Sequence, residues 1–522
     1  MSPGGLDDDL AWLAGELSAI RRELAPPGES KALYLALDQG GTASRAVLFD
    51  ALGREVALAH VPIGTRRSGD ACVEHDPDEL VQSLRTAIAD ACASPLVGDR
   101  PVVAAGLATQ RSTICCWDGN NGDALSPALS WQDRRNAAWL HEALGARAAW
   151  VRELTGLPLS PHYGASKLRW CLDELPAVRL ALRDERLVAG PLASFLVQQL
   201  CQSDTAVADP ANASRTLLFD PAVLDWSPPL LDAFGIPRGM LPRCVGTTHE
   251  FGVLEVGNGR TAPLRAVSGD QSAAVFAFGS PEITTAYVNA GTGAFVQRLV
   301  LDGSAPTPAG LLKSVLHART DETTGALYCH EGTVNGGYAA LEWLAGRVGI
   351  DVKRALGTLT SGLAVDDLPV LFMNGVGGLA APWWIPGFPV EFVGVEHGEA
   401  PAAASATELQ QVAAVVESIA FLIAVNVRLM QRAAPLQRVV ITGGLAGCDY
   451  LCEVLAAVTG LRVDRPALLE ATARGIAWLA AGQPQDWQPV PITQSFTPGN
   501  AHGSLRRFER WLQAMAARGA RS

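Results

Sequence analysis

Asp38-Gln-Gly-Gly-Thr-Ala-Ser-Arg45, set between the apolar runs Leu33-Tyr-Leu-Ala-Leu37 and Ala46-Val-Leu-Phe49, decides how the 522-residue chain reads. Apolar run, glycine turn and apolar run spell strand, turn, strand. Gly40 and Gly41 let backbone N–H groups approach an anion with no Cβ in the way, while Thr42, Ser44 and Arg45 add hydroxyls and a fixed positive charge. Asp38 alone would repel phosphate, so its natural role there is to hold Mg²⁺ through water. The segment reads as a phosphate cradle. A Gly-Gly-Thr hairpin reads equally well as a plain tight turn.

A second copy of the device shifts that balance. Thr285–Ala290 leads through Gly291-Thr292-Gly293 into Ala294–Leu299. Further on, Arg438-Val-Val-Ile-Thr-Gly443-Gly444-Leu-Ala-Gly447 runs a buried strand into a glycine turn and then a helix, the context in which backbone packs against a nucleotide. Three such turns point to one nucleotide held between two halves. With Thr42 and Arg45 on one half and Thr292 and Gly444 on the other, neither half surrounds a γ-phosphate alone, so closure of the two is expected.

Composition narrows the classes. The length suggests about two large domains, and 48% hydrophobic with 18% charged residues is ordinary for a globular chain. A net charge of −12 argues against a nucleic-acid partner. The ten cysteines form no CxxC pair; Cys115-Cys116 and the Cys448, Cys452 set lie in apolar stretches and read as buried thiols of a reducing cytoplasm. No stretch reads as the roughly eighteen apolar residues of a membrane span, and the acidic Asp7-Asp8-Asp9 start is unlike a signal peptide. The expectation is a cytoplasmic protein with no membrane partner.

Along the chain, residues 1–30 carry an amphipathic helix over 7–24, with Leu10, Leu13, Leu17, Ile20 and Leu24 on one stripe, docking on its own domain or on a sister subunit of a homo-oligomer. Residues 31–280 read as an α/β domain with a strand at Val102–Ala108, helices over Asn136–Leu154 and Lys167–Leu175, and a strand Leu264–Val267 ending at Ser268-Gly269-Asp270-Gln271 before a helix Ser272–Phe278. Pro281 marks a boundary. A second α/β domain spans 281–485 and closes with a helix Ala467–Ala481. Residues 486–522 hold the end of a Pro/Gln-rich connector (483–494) and a terminal helix near Leu505–Met515.

Several separate motifs then resemble one family. Tyr34–Asp50, Ser130-Trp-Gln-Asp-Arg134, Leu157-Pro-Leu-Ser-Pro161 with Ala165-Ser-Lys-Leu-Arg-Trp170, Asn212–Asp220, Gly235-Ile-Pro-Arg238 and Gly269-Asp-Gln271 are similar, in order, to the FGGY carbohydrate kinases. The glycerol kinase branch is closest in the N-terminal half. The resemblance implies two ribonuclease-H-like domains of the actin and hexokinase type flanking a central cleft, and Mg-ATP-dependent phosphorylation of a small polyol or sugar. It implies Asp270 as general base, a residue that reads otherwise as a helix N-cap. It implies Asp38 beside Mg²⁺, with Gly41, Thr42, Arg45, Gly291 and Thr292 on the phosphates and Gly443 and Gly444 behind the adenosine. Arg111, Trp131, Asp270, Gln271 and Phe295 then fall where glycerol kinases place polyol contacts; Trp131 and Phe295 taken singly read as core aromatics.

The departures set further expectations. Ser112 stands where glycerol kinases have a glutamate, and His162 where they have a tyrosine. Losing a charged acceptor changes which hydroxyls are recognised, so a longer acceptor such as a tetritol, pentitol or ketose is expected. On the nucleotide side Tyr338 stands at a family glycine, Glu342 at a glutamine and Cys448 at an adenine-contacting asparagine; Ile385-Pro-Gly-Phe-Pro-Val390 replaces an Asp-Pro-x-x-Arg-Gly run. These leave a second class in view, a kinase fold that binds and regulates without turnover, against which the joint presence of Asp38, Thr42, Arg45, Asp270 and Thr292 argues.

Overall fold

The structure is a computed structural model that describes residues 31–522 apart from 70, 203–204, 258, 320–325, 360–367, 395–405, 500–501 and 521–522. The N-terminal helix expected over 7–24 lies outside the described residues. The chain divides into two compact units: one holds the described residues within Met1–Ser280, Val315–Gly325 and Thr472–Pro489, the other those within Pro281–Ser314, Ala326–Ala471 and Val490–Ser522. The chain therefore crosses from one unit to the other several times, which no single cut point captures.

In the first unit the quoted segment is the turn of a hairpin. Leu33–Gln39 and Ala43–Asp50 pair antiparallel with Asp38 opposite Arg45, and Glu55–Pro62 adds a third antiparallel strand. On the other side of Leu33–Gln39 lie Val102–Thr109 and then Thr261–Gly269, both parallel to their neighbour, with Thr248–Glu255 antiparallel at the edge. Leu33, Leu35 and Leu37 are fully buried and pack with the helix Pro77–Cys92 through Leu80, Leu84 and Ile88. The near-continuous apolar reading of these strands follows from the burial of parallel strands on both faces.

The second unit repeats the plan. Thr285–Ala290 pairs antiparallel with Ala294–Val300, which pairs with Leu327–Val334; on the opposite side Arg438–Thr442 and Arg462–Pro466 run parallel, and Ile492–Phe496 closes that edge antiparallel. Both sheets thus place three antiparallel strands, two parallel ones and an antiparallel edge in the same order, the ribonuclease-H-like arrangement, and the second adds a seventh strand, Leu312–His317, beside Leu327–Val334. The helix Glu408–Ala433 is long and apolar enough to cross a membrane, which corrects the sequence reading that no stretch qualifies; it is almost wholly buried as the core helix of this unit. A helix buried on all sides is apolar all round.

Several boundaries differ from expectation. The helical middle breaks into Ala137–Leu144, a short 3₁₀ turn and Ala148–Thr155, and the helix expected over Ala467–Ala481 runs Ala471–Ala480. The connector hides the strand Ile492–Phe496, and the terminal helix extends over His502–Ala517. That helix is anchored by Arg507, whose guanidinium is buried and donates to both carboxylate oxygens of buried Glu417 and to the carbonyls of Leu368 and Val370. All ten cysteines are free thiols; Cys72, Cys201 and Cys244 are only partly buried.

Candidate active site

The parallel strands of the first unit end side by side. Gln39 and Gly269 are each in register with Thr109, so Asp38, the Gln110-Arg111-Ser112 segment and Asp270 gather at the carboxyl ends of three adjacent strands. At about 4.8 Å per strand the outer ends are roughly 10 Å apart. Carboxyl ends of parallel strands are where open α/β sheets bind ligands.

At the first end Asp38 is buried and its Oδ2 lies 3.2 Å from Arg45 Nη1, a consequence of their being opposite in the hairpin. Gly40 N donates to Ala43 O at 2.9 Å, which closes the turn and leaves Thr42 exposed at its tip. A Cβ on Gly41 would sit 3.5 Å from the indole nitrogen of Trp131. The hairpin tip and Trp131 are therefore neighbours.

At the middle and far ends Arg111 runs over Gly269, where any Cβ would overlap Arg111 Cγ, and its Nε reaches 3.6 Å from Asp270 Oδ1. Asp270 opens the helix Asp270–Ala274 as its first residue, Gly269 being the cap, and Gln271 N donates to Asp270 Oδ1 at 2.7 Å. Ser112 is buried at φ 66° and its Oγ has no hydrogen-bond partner among the described residues. A left-handed serine is uncommon, and such strain collects at functional sites. The Trp131 ring is about one-third exposed and meets His162 edge to face at 5.7 Å. Desolvation, reinforced by the charges of Lys167, Arg215, Arg134 and Arg111, holds His162 well below the usual histidine range. A neutral imidazole presents one donor and one acceptor, which suits hydroxyl groups. Arg111, Ser112, Trp131, His162, Asp270 and Gln271 thus all belong to this unit.

The second unit carries the remaining candidates. Thr292 is exposed at the hairpin tip, Gly291 has open space where a Cβ would lie, and Phe295 is half-buried two residues beyond Gly293. The hairpin is fastened to the helix Tyr338–Val348: Tyr338 N donates to Gly291 O at 2.9 Å and Ala339 N to Thr292 O at 3.1 Å. Tyr338 is half-buried and Glu342, one turn on along that helix, is exposed. Gly443, at φ 87°, permits contact with Ala290 O that any side chain would block, and Gly444 is exposed with open space beside it. Cys448 caps the following helix from within the apolar core, and burial pushes its thiol up. Nothing in the structure explains the Ile385–Val390 run.

Sequence reasoning missed the residues that hold the site. Gln110 donates through Nε2 to Gln39 Oε1 and Gly40 O and accepts from Thr113 Oγ1, which in turn accepts Trp131 N at 3.0 Å. It ties the hairpin tip to the loops of Arg111 and Trp131. The only signal was its place beside Arg111. Gly475 was also overlooked: a side chain there would overlap Ala273 O, while Thr472 Oγ1 donates to Asp270 O at 3.3 Å, so helix Ala471–Ala480 seats the Asp270 helix. Gly475→Ala is expected to force the two backbones apart at a cost of about 1–3 kcal/mol and to lower turnover with it. Thermal denaturation beside a rate measurement checks this; an unchanged melting point and rate would refute it.

Residues 33–277 match the N-terminal domain, and 286–483 the C-terminal domain, of the FGGY family of carbohydrate kinases. The chain is 32% identical over 502 residues to a glycerol kinase of Acaryochloris marina, covering 93% of this chain and 98% of that one. It is 33% identical over 454 residues to a glycerol kinase of a Geobacter species, covering 85% and 89%. Among solved structures, the glycerol kinase of Plasmodium falciparum with ADP superposes with a TM-score of 0.81 at 20% identity, over 94% of this chain and 99% of that one. A xylulose kinase of Brucella ovis gives 0.79 at 21% identity, over 93% and 98%.

Proposed function

The chain belongs to the FGGY family of carbohydrate kinases, and we propose that, within its ATP-dependent phosphorylation of a polyol or sugar hydroxyl, the acceptor is longer than glycerol and is read by Arg111, Ser112, Trp131 and His162. The observation that carries this reading is Ser112: its buried hydroxyl lacks any partner among the described residues. A buried polar atom left unpaired is costly, and an acceptor hydroxyl would satisfy it. Trp131 offers an apolar face beside it and His162 a neutral donor and acceptor.

Asp270 is the base in this reading. Its carboxylate, fixed by Gln271 N–H and flanked by Arg111, takes the proton of the attacking hydroxyl. In the first unit Thr42 and Arg45 offer a hydroxyl and a charge to phosphate oxygens. In the second unit Thr292 offers a hydroxyl, and Gly291 and Gly444 an unobstructed backbone, to the nucleotide. Mg²⁺ fits Asp38, because this hard cation keeps several waters and asks for only one or two carboxylates beside the phosphates. When bound it neutralises charge on the transferring group. The proteins named above to which the chain is similar are all kinases, so a fold that binds without turnover gains no support.

Glycerol is expected to be a poor acceptor for the native protein. Ser112→Glu with His162→Tyr restores the acidic hydroxyl acceptor and is expected to raise kcat/KM for glycerol by about tenfold or more, the worth of a hydrogen bond to a charged group. Steady-state kinetics of both proteins on glycerol checks this. A native kcat/KM for glycerol that the double substitution fails to improve would sink the reading of these two positions.

A further inference from the structure

Lys167 is used by none of the steps above, yet it is 1% exposed and its ammonium meets three backbone carbonyls: Ser112 O at 2.9 Å, Ser130 O at 2.8 Å and His162 O at 2.8 Å. Each carbonyl belongs to an acceptor-site residue or to its immediate neighbour. We propose that Lys167 is the positioning residue of the acceptor pocket, one ammonium tying together the three segments that carry Arg111 with Ser112, Trp131 and His162. The assignment rests on the reading of those four residues as acceptor contacts.

Four features favour a dedicated tie over ordinary packing. An ammonium has three donors, and all three are used on segments far apart in sequence. Lys167 lies in the first turn of helix Gly164–Glu174, where the helix dipole disfavours a cation, so helix stability does not account for it. A buried ammonium is costly unless it is fully hydrogen-bonded, and an apolar side chain would fill the space with no such cost. One bonded segment is the left-handed Ser112, whose strained backbone needs a restraint from outside its own loop.

The charges around Lys167 make the tie sensitive to pH. Burial pushes Lys167 down to about 7; Asp133 opposes the shift, while Arg135 and Arg134 on the same loop add to it. His162, on the segment leading into the helix, is neutral. Below that value the ammonium serves all three carbonyls. Above it the amine has two N–H groups and turns a lone pair toward the third carbonyl, so the pocket loosens as pH rises.

The test compares Lys167→Met, close in length and without donors, with the unmodified enzyme in acceptor-dependent ADP release. The variant is expected to raise the KM for the acceptor by about tenfold or more, on the scale of lost hydrogen bonds from a charged group, with the KM for ATP unchanged. In the unmodified enzyme the acceptor KM is expected to climb from the acid to the alkaline side of neutrality while the ATP KM stays flat, a trend absent from Lys167→Met. A folded variant with the native acceptor KM, or one losing only kcat, overturns the proposal. Where the variant does not fold, a flat acceptor KM across neutrality in the unmodified enzyme overturns it. Failure of the acceptor reading looks different: the unmodified protein then shows no preference for acceptors longer than glycerol.

Discussion

Asp270→Asn is expected to lower kcat by about 10²–10⁴, the usual worth of a positioned general base, while ATP binds as it does to the native protein. The substitution keeps the shape of the side chain and an oxygen for the Gln271 N–H, 2.7 Å away in the structure, and removes only the carboxylate that accepts the proton. The Arg111 side chain stays where Gly269 allows it. Burst and steady-state rates, with the nucleotide affinity measured by titration calorimetry, separate the two effects. Native turnover in the variant would remove Asp270 from its role; loss of ATP binding together with turnover would show a structural defect instead.

Arg507→Ala is expected to destabilise the second unit by about 3–5 kcal/mol, the cost of breaking a buried ion pair on one side only. Burial pushes Glu417 up and the Arg507 guanidinium is the charge that opposes it, with Tyr450 O–H donating to the same carboxylate at 3.1 Å. Without Arg507 that carboxylate keeps the Tyr450 hydroxyl but loses its charged partner, and the carbonyls of Leu368 and Val370 lose the guanidinium N–H groups. Arg507→Met combined with Glu417→Met leaves no orphaned charge and is expected to recover much of the loss. Urea denaturation of the three proteins checks this; a shift below about 1 kcal/mol in the single variant, the scale of an exposed pair, would contradict it.

The duplicated hairpins were legible because their signal is local: a glycine turn between apolar runs needs no tertiary information, and it appears at Gly40-Gly41 and again at Gly291–Gly293. The strand Ile492–Phe496 was not legible, because it is an edge strand flanked by prolines whose apolar residues are few and whose pairing with Arg462–Pro466 is long-range. Helix Glu408–Ala433 carries the composition of a membrane span because the core encloses it on every side. At the site, Asp270 and Arg111 could be read from their motifs, whereas their supports could not. Nothing near Ser112 in sequence announces a left-handed residue, and Lys167 in the run Ser-Lys-Leu-Arg-Trp looks like any helix-surface lysine until the fold brings the distant carbonyls of Ser112 and Ser130 around it beside that of His162. The Asp270 cap reading failed by one residue: the helix starts on Asp270 itself, and Gly269 takes the cap position.

The central claim, an ATP-dependent kinase whose acceptor pocket is built for more than three carbons around Ser112, is tested most directly by ADP release across glycerol, tetritols, pentitols, ketopentoses and sugar acids at saturating Mg-ATP. The account predicts that at least one longer acceptor has a kcat/KM well above that of glycerol. A kcat/KM for glycerol exceeding that of every longer acceptor, or no acceptor-dependent release at all, would contradict it.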